Sequence, residues 1–257
     1  MNVLDTPKVP QPVQEQEWFE EWFDSPFYHQ LYHHRDDREA RDFLDALHVY
    51  FKFDSSYHVL DLACGKGRHA RYLHGLGPEV TGLDLSPSSV DHANQYASAG
   101  LSFQVQDMRI PFGYECYDFV LNLFTSFGYF ELEQDHQRVI NNIAASLKNG
   151  GKVLIDYMNP YYMLRHLQPF ELKRIGDASF ENRREVNMGY VIKYINVKSQ
   201  GKNYHYQEKV KLLFPEDFET YFERAGLRLV ETFGDYKLGS FAKNISPRLV
   251  LLAEKFI

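Results

Sequence analysis

A short apolar strand that ends on a carboxylate and breaks into a glycine turn constrains this chain more than any other feature. Residues 57–69 read Tyr-His-Val-Leu-Asp-Leu-Ala-Cys-Gly-Lys-Gly-Arg-His, and Val80-Thr-Gly-Leu-Asp84-Leu-Ser forms a second strand with a second acidic tip. Two strands with acidic tips around a Gly-x-Gly turn outline the nucleotide site of a doubly wound α/β sheet.

Two ligands compete for such a site. Gly65-Lys-Gly67-Arg-His-Ala70 fits the glycine pattern of dinucleotide-binding domains. A dinucleotide, however, sets an anionic pyrophosphate against this turn and the following helix N-terminus, and Asp61 would repel it. S-adenosylmethionine carries a sulfonium and an ammonium there instead, which a carboxylate attracts. Asp84 suits the ribose of either ligand. The glycines fit a cofactor that approaches the main chain closely.

The run Val59-Leu-Asp-Leu-Ala-Cys-Gly-Lys-Gly-Arg68 resembles the first motif of class I S-adenosylmethionine-dependent methyltransferases. Later stretches resemble that family in the same order: Gly82-Leu-Asp-Leu-Ser-Pro87, Gln106-Asp107-Met-Arg109, Tyr117 to Gly128, and Leu147-Lys-Asn-Gly-Gly-Lys-Val-Leu-Ile155. The resemblance implies S-adenosylmethionine as cofactor and S-adenosylhomocysteine as product. It implies that Asp61, Ala63, Cys64, Gly65, Gly67 and Arg68 serve the methionine side, and Asp84, Leu85 and Ser86 the ribose. Asp107, Met108 and Arg109 would flank the adenine. Asn122, Leu123, Phe124 and Phe127 would close the methionine end, with a backbone carbonyl or amide of the first three holding the ammonium. Tyr28, Tyr32 and Arg35 resemble an N-terminal lid of small-molecule N-methyltransferases, with Arg35 on the cofactor carboxylate. Asp37 stands where an aromatic is common in that lid. Plain alternatives remain: Asp61 as a helix cap, Asp107 as a loop carboxylate, and Phe124, Phe127, Tyr129, Tyr28 and Tyr32 as packing.

Strand–helix alternation runs from about Tyr57 to Asn159 and implies a parallel sheet. Strands are expected at His58–Leu62, Val80–Asp84, Leu101–Gln106, Phe119–Leu123 and Lys152–Tyr157. Helices are expected from Arg68 to Leu76, from a Ser86-Pro87 cap to about Gly100, and from Glu133 to Leu147. After Pro160 the period turns β-like, with a hairpin pairing Val191–Lys198 with Tyr204–Leu213 around Ser199–Lys202. The core resumes with a helix Pro215–Ala225 and strands Leu227–Phe233 and Arg248–Ala253. The fold class is therefore α/β: a doubly wound, Rossmann-like sheet with an antiparallel last strand, a helical N-terminal lid and an antiparallel β insertion. The expected divisions are 1–56 (tail and aromatic lid), 57–159 (cofactor core), 160–214 (insertion covering the substrate) and 215–257 (end of the core). Residues 1–16 read as an extended lead, and Ser25-Pro26 as a helix start.

The net charge of −7 argues against a dedicated nucleic-acid binder. No apolar run is long enough to span a bilayer, and the N-terminus has no signal-peptide pattern. A cytoplasmic location is expected. Neither Cys64 nor Cys116 suggests a disulfide framework. His29, His33 and His34 do not close a metal site and read as exposed; no metal is expected. His166, Tyr157 and His205 lie where a substrate would sit but read as structural, so no catalytic residue is named. The expected activity is methyl transfer to an N or O atom of a small-molecule acceptor by a monomer or homodimer. The alternatives are a tRNA- or protein-modifying methyltransferase, for which Lys193, Lys198, Lys202, Lys209 and Lys211 would have to cluster, and a non-catalytic cofactor-binding module.

Overall fold

The computed structural model describes residues 17–32 and 37–256. The expected extended lead, Arg35, and His33 and His34 lie outside them. Strands β1 (His58–Leu62), β2 (Glu79–Asp84), β3 (Leu101–Val105), β4 (Tyr117–Asn122), β5 (Leu147–Met158), β10 (Leu227–Phe233) and β11 (Arg248–Lys255) form one sheet in the order β10-β11-β5-β4-β1-β2-β3. The first five pair in parallel, and β11 runs antiparallel to both neighbours. β1 and β4 are central and buried, so they read as continuous apolar runs.

Helices cover both faces of this sheet. α3 (Asp37–Phe51), α4 (Arg68–Gly75) and α5 (Pro87–Asn94) pack on one face, through Phe43, Leu44, Leu73 and Val90 against Val59, Val80 and Leu121. α6 (Glu133–Ser146) and α8 (Pro215–Arg224) pack on the other, through Ile140, Ile143, Phe218 and Phe222 against Leu60, Val120 and Ile155. The caps form as their sequences require: the Ser86 hydroxyl accepts from the Ser89 N–H at 3.1 Å, and the Ser25 hydroxyl from the Phe27 N–H at 3.2 Å. α5 ends at Asn94, short of the expected Gly100, and an irregular turn fills the gap. β5 begins at Leu147, ahead of the Gly150-Gly151 turn expected to precede it, with a shift of register against β4.

A second, antiparallel sheet holds β6 (Phe170–Ile175), β7 (Ala178–Asn187), β8 (Tyr190–Ser199) and β9 (Lys202–Lys211) in sequence order. α7 (Pro160–His166), capped by Asn159, leads into it and had no counterpart in the periodicity. The inner face of this sheet carries Phe180, Ile195 and Val197. It packs against Trp22 and Leu31 of α1 (Trp18–Asp24) and α2 (Pro26–Leu31). The short N-terminal helices are thus held between two sheets, which explains their density of aromatic residues.

Candidate functional site

A cavity of about 820 Å³ opens at the C-terminal ends of β1, β2 and β4, where open α/β sheets bind ligands. Of the residues expected at the site, Ala63, Cys64, Gly65, Arg68, Asp84, Leu85, Ser86, Asp107, Met108, Leu123, Phe124, Tyr28 and Tyr32 line it. Asp61, Gly67, Arg109, Asn122 and Phe127 do not.

Each exception has a local reason. Along β1 the side chains alternate, so Asp61 shares the face of Val59 and points at α4. Its Oδ2 accepts from the Ala70 N–H at 3.1 Å, capping the helix as the plainer alternative supposed. Burial raises its pKa to about 7, with the Ala70 hydrogen bond only partly opposing. Gly67, at φ 75°, is a packing glycine: a Cβ there would stand 2.6 Å from Phe103 Cε1. Gly65 is the reverse case. It lines the cavity, and a Cβ there would meet nothing within 4 Å. Asn122 is buried, with Nδ2 donating to the Leu62 carbonyl at 3.0 Å. Phe127 packs against His136, Phe218 and Tyr221.

Of the expected carboxylates, the two that do line the cavity, Asp84 and Asp107, differ. Asp84 is held by its own turn: Oδ2 accepts from the Gly65 N–H at 2.7 Å and Oδ1 from the Ser86 N–H at 2.9 Å. Burial raises its pKa against those hydrogen bonds. Asp107 also loses solvation, but the Arg109 guanidinium, bonding both its oxygens, holds the carboxyl below its usual range. Arg109 reaches further and takes both oxygens of Glu17 at 3.1 and 2.6 Å. Its place is therefore behind Asp107, tying the start of α1 to the loop after β3. A second tie joins Asp24, at the end of α1, to the hydroxyls of Ser86 and Ser88.

Phe124 and Thr125, at the end of β4, are both left-handed, at φ 58° and 62°. Such strain in non-glycine residues persists only where neighbours over-determine it. Here Asp156 does so. Its carboxylate accepts from the Phe124 N–H at 2.8 Å, and its carbonyl from the Thr125 N–H at 2.9 Å. Arg248 pairs with Asp156 at 2.7 Å and donates to the Thr125 hydroxyl at 2.9 Å. The Phe124 N–H is thus committed to Asp156 and, as a donor, could not hold an ammonium, while the Leu123 carbonyl accepts from Ser126 Oγ at 2.8 Å and keeps a second lone pair.

Residues that the sequence did not mark complete the walls, Trp18, Phe23, His69, Met158, Glu208, Val210 and Arg248 among them, together with Tyr129 and with His29. His29 is half-buried and not exposed as expected. Burial, with the charge of Lys66 next, lowers its pKa to about 4. Glu208 stands opposite Lys193 in the β8–β9 register. It accepts from Trp22 Nε1 at 2.8 Å and from the Tyr32 hydroxyl, while Lys193, 6% exposed, donates to that hydroxyl at 2.9 Å. A signal for both existed: Glu208 falls in the alternation of Tyr204, Tyr206 and Val210, and Lys193 in that of Ile195 and Val197. Lys209 and Lys211 pair with Glu131 and Glu133 and Lys193 is buried, so of the five insertion lysines only Lys198 and Lys202 come together, beside Arg174 and Asp177. His166, Tyr157 and His205 do not line the cavity: their polar atoms bond Tyr162 O, Lys211 O and Asn196 Oδ1. Burial pushes the Cys64 thiol far up, so it stays protonated. Among the described residues no three His, Cys, Asp or Glu are arranged to hold a metal ion, and no helix is long and apolar enough to cross a membrane.

These residues fit an adenosyl amino acid. Asp84 and Asp107 bring two carboxylates to the cavity, Gly65 leaves room beside the main chain, and the β4 end carries an aromatic wall.

Comparison with known proteins agrees. Residues 59–151 match the family model described as a methyltransferase domain. The ubiquinone biosynthesis O-methyltransferase of Coxiella burnetii is 32% identical over 110 residues, covering 40% of this chain and 44% of that one. The dTDP-3-amino-3,4,6-trideoxy-alpha-D-glucopyranose N,N-dimethyltransferase of Streptomyces venezuelae is 27% identical over 120 residues, covering 46% and 48%. The chain thus spans less than half the length of these curated relatives. The crystal structure of an S-adenosylmethionine-dependent methyltransferase from Clostridium acetobutylicum superposes with a TM-score of 0.75 at 21% identity, over 90% of this chain and 97% of that one. Over that span the fold of this chain is the fold of the Clostridium acetobutylicum methyltransferase structure.

Proposed function

We propose that this chain transfers a methyl group from S-adenosylmethionine to a nitrogen or oxygen atom of a small-molecule acceptor. The observation that carries the reading is one continuous cavity. It runs from Gly65, Asp84 and Asp107 to a far wall made by α1, α2 and β9. A cavity covered on both sides suits a compact acceptor. The matched O- and N-methyltransferases act on small molecules by their names, which supports the same class here.

Asp84 would accept from the ribose hydroxyls, Asp107 from the adenine amine, and Met108 and Leu85 would line the base. S-adenosylmethionine supplies a methyl group already activated by its sulfonium, so positioning of the acceptor is what the protein must add. Trp18, Phe23, Tyr28 and Tyr129 wall the cavity with aromatic surface that excludes water and favours a cation. Glu208 is the carboxylate that the insertion sheet contributes, and it would orient an acceptor amine or hydroxyl through its Oε atoms. The pairing of Lys209 and Lys211 with Glu131 and Glu133, and the burial of Lys193, weigh against tRNA as acceptor.

Calorimetric titration with S-adenosylmethionine, S-adenosylhomocysteine and NAD tests the cofactor. Transfer of labelled methyl to a panel of small amines and phenols then tests the reaction. Tight adenosyl binding that Asp84→Ala weakens at least tenfold, with transfer to a panel member, is the expected result. Binding without transfer to any acceptor favours a non-catalytic module, and binding of NAD alone overturns the reading.

A further inference from the structure

His69 is the second residue of α4, directly after the glycine turn, and its ring lines the cavity. The side chain is 8% exposed, and its Nε2 has no hydrogen-bond partner. The ring stacks on Phe124 at 4.9 Å and 10°, which fixes it at the left-handed end of β4. Arg68 lies over the other partner of that stack, 5.1 Å from the Phe124 centroid. A buried polar nitrogen without a partner costs stability and calls for an explanation. Burial, with Arg68 adding to it, lowers the His69 pKa to about 3, so the imidazole is neutral and offers one N–H. The surroundings select what that N–H meets. The Arg68 guanidinium favours an anionic group, whereas Asp61 is turned under the first turn of α4, on the Ala70 N–H, and Asp84 is held by the Gly65 and Ser86 N–H groups.

We infer that His69 donates from Nε2 to the carboxylate at the amino-acid end of the cofactor, beside Arg68. This rests on the reading of the cavity as an S-adenosylmethionine site. It assigns the carboxylate a seat on α4, whereas the sequence suggested one on Arg35. His69 is then a residue whose own burial is unfavourable until ligand arrives.

Calorimetry on wild type and His69→Phe with three ligands tests this. S-adenosylhomocysteine carries the carboxylate, decarboxylated S-adenosylmethionine keeps only the ammonium, and 5′-methylthioadenosine lacks the amino-acid end. The phenyl ring preserves the stack on Phe124 and removes the N–H. S-adenosylhomocysteine should bind His69→Phe about ten- to a hundredfold more weakly, and the other two within about twofold of wild type. His69→Gln, with an amide N–H of similar reach, should recover most of the loss. The Phe variant should melt no lower than wild type, because the unpartnered nitrogen is gone. Equal weakening of all three ligands, unchanged S-adenosylhomocysteine binding, or a lower melting temperature overturns the assignment. Equal weakening of the two ligands that keep the ammonium overturns it in favour of an ammonium contact. A wild type that binds none of the three overturns the cofactor reading itself.

Discussion

The Tyr32 hydroxyl donates to both oxygens of Glu208, at 2.7 and 2.9 Å, across 176 residues of sequence. Tyr32 ends α2 and Glu208 lies on β9, so one hydrogen-bonded pair joins the N-terminal helices to the second sheet at the cavity wall. Trp22 Nε1 adds a third donor to the same carboxylate.

Tyr32→Phe removes the hydroxyl and keeps the ring. It should cost about 1–2 kcal/mol of stability and accelerate amide exchange over residues 18–31, with exchange in β1 and β4 unchanged. Exchange that rises uniformly along the chain would mean that the pair supports the whole fold and not the local closure. Denaturant unfolding and hydrogen exchange read the two effects separately.

Gly65 and Gly67 should separate function from folding. Gly67→Ala drives a methyl group into Phe103 at a left-handed position and should destabilise by about 2–4 kcal/mol. Gly65→Ala meets open space, so its stability cost should stay near the 1–2 kcal/mol of the left-handed backbone, while adenosyl binding falls. Unfolding curves and titration on both variants check this, and equal binding losses at equal stability would contradict it.

Asp156→Asn keeps the shape of a side chain that is fully buried and removes its charge from Arg248. An amide also sets an N–H against either Arg248 or the Phe124 amide. A loss of about 3 kcal/mol is expected, together with weaker adenosyl binding, because the Phe124–Thr125 turn loses its clamp. Wild-type affinity in a destabilised Asp156→Asn would show that the clamp does not shape the site.

Stability should fall in mild acid. Burial lowers His136 to about 4, and His29 and His69 to about 4 and 3. Below the ordinary value near 6.5 the unfolded chain takes up protons that the folded chain refuses. Their contribution is therefore intact above 6.5 and is lost as pH falls toward 4. Asp61, raised to about 7, works oppositely: its contribution is present below 3.8 and lost as pH rises toward 7. Asp84, which burial also raises, works in the same direction as Asp61, and three histidines outweigh these two carboxylates, so unfolding free energy should climb from pH 4.5 to 6.5. His136→Leu should flatten that climb by up to about 1.4 kcal/mol per pH unit. An unchanged slope in urea titrations would contradict the neutral, buried His136.

The sequence by itself determined the doubly wound sheet. β1 and β10 begin and end where the apolar runs and their glycine stops put them, and Ser86-Pro87 and Ser25-Pro26 open helices as written. These features are local: a strand buried on both faces, a cap and a turn glycine are each legible within a few residues. The acidic tip at Asp84 and the loop carboxylate at Asp107 reach the cavity from positions that are local in the same way. Only the tertiary structure decided which way Asp61 points, because the face of β1 that meets α4 is set by packing and not by the strand's own residues. It also decided that Gly67 answers to Phe103 while Gly65 faces the cavity, and that Glu208, Lys193, Asp156 and Arg248 wall or brace the site. Those relationships join residues far apart in the chain. Their energy comes from burial and hydrogen bonds made only when the two sheets and the N-terminal helices meet, so no stretch of sequence carries them alone.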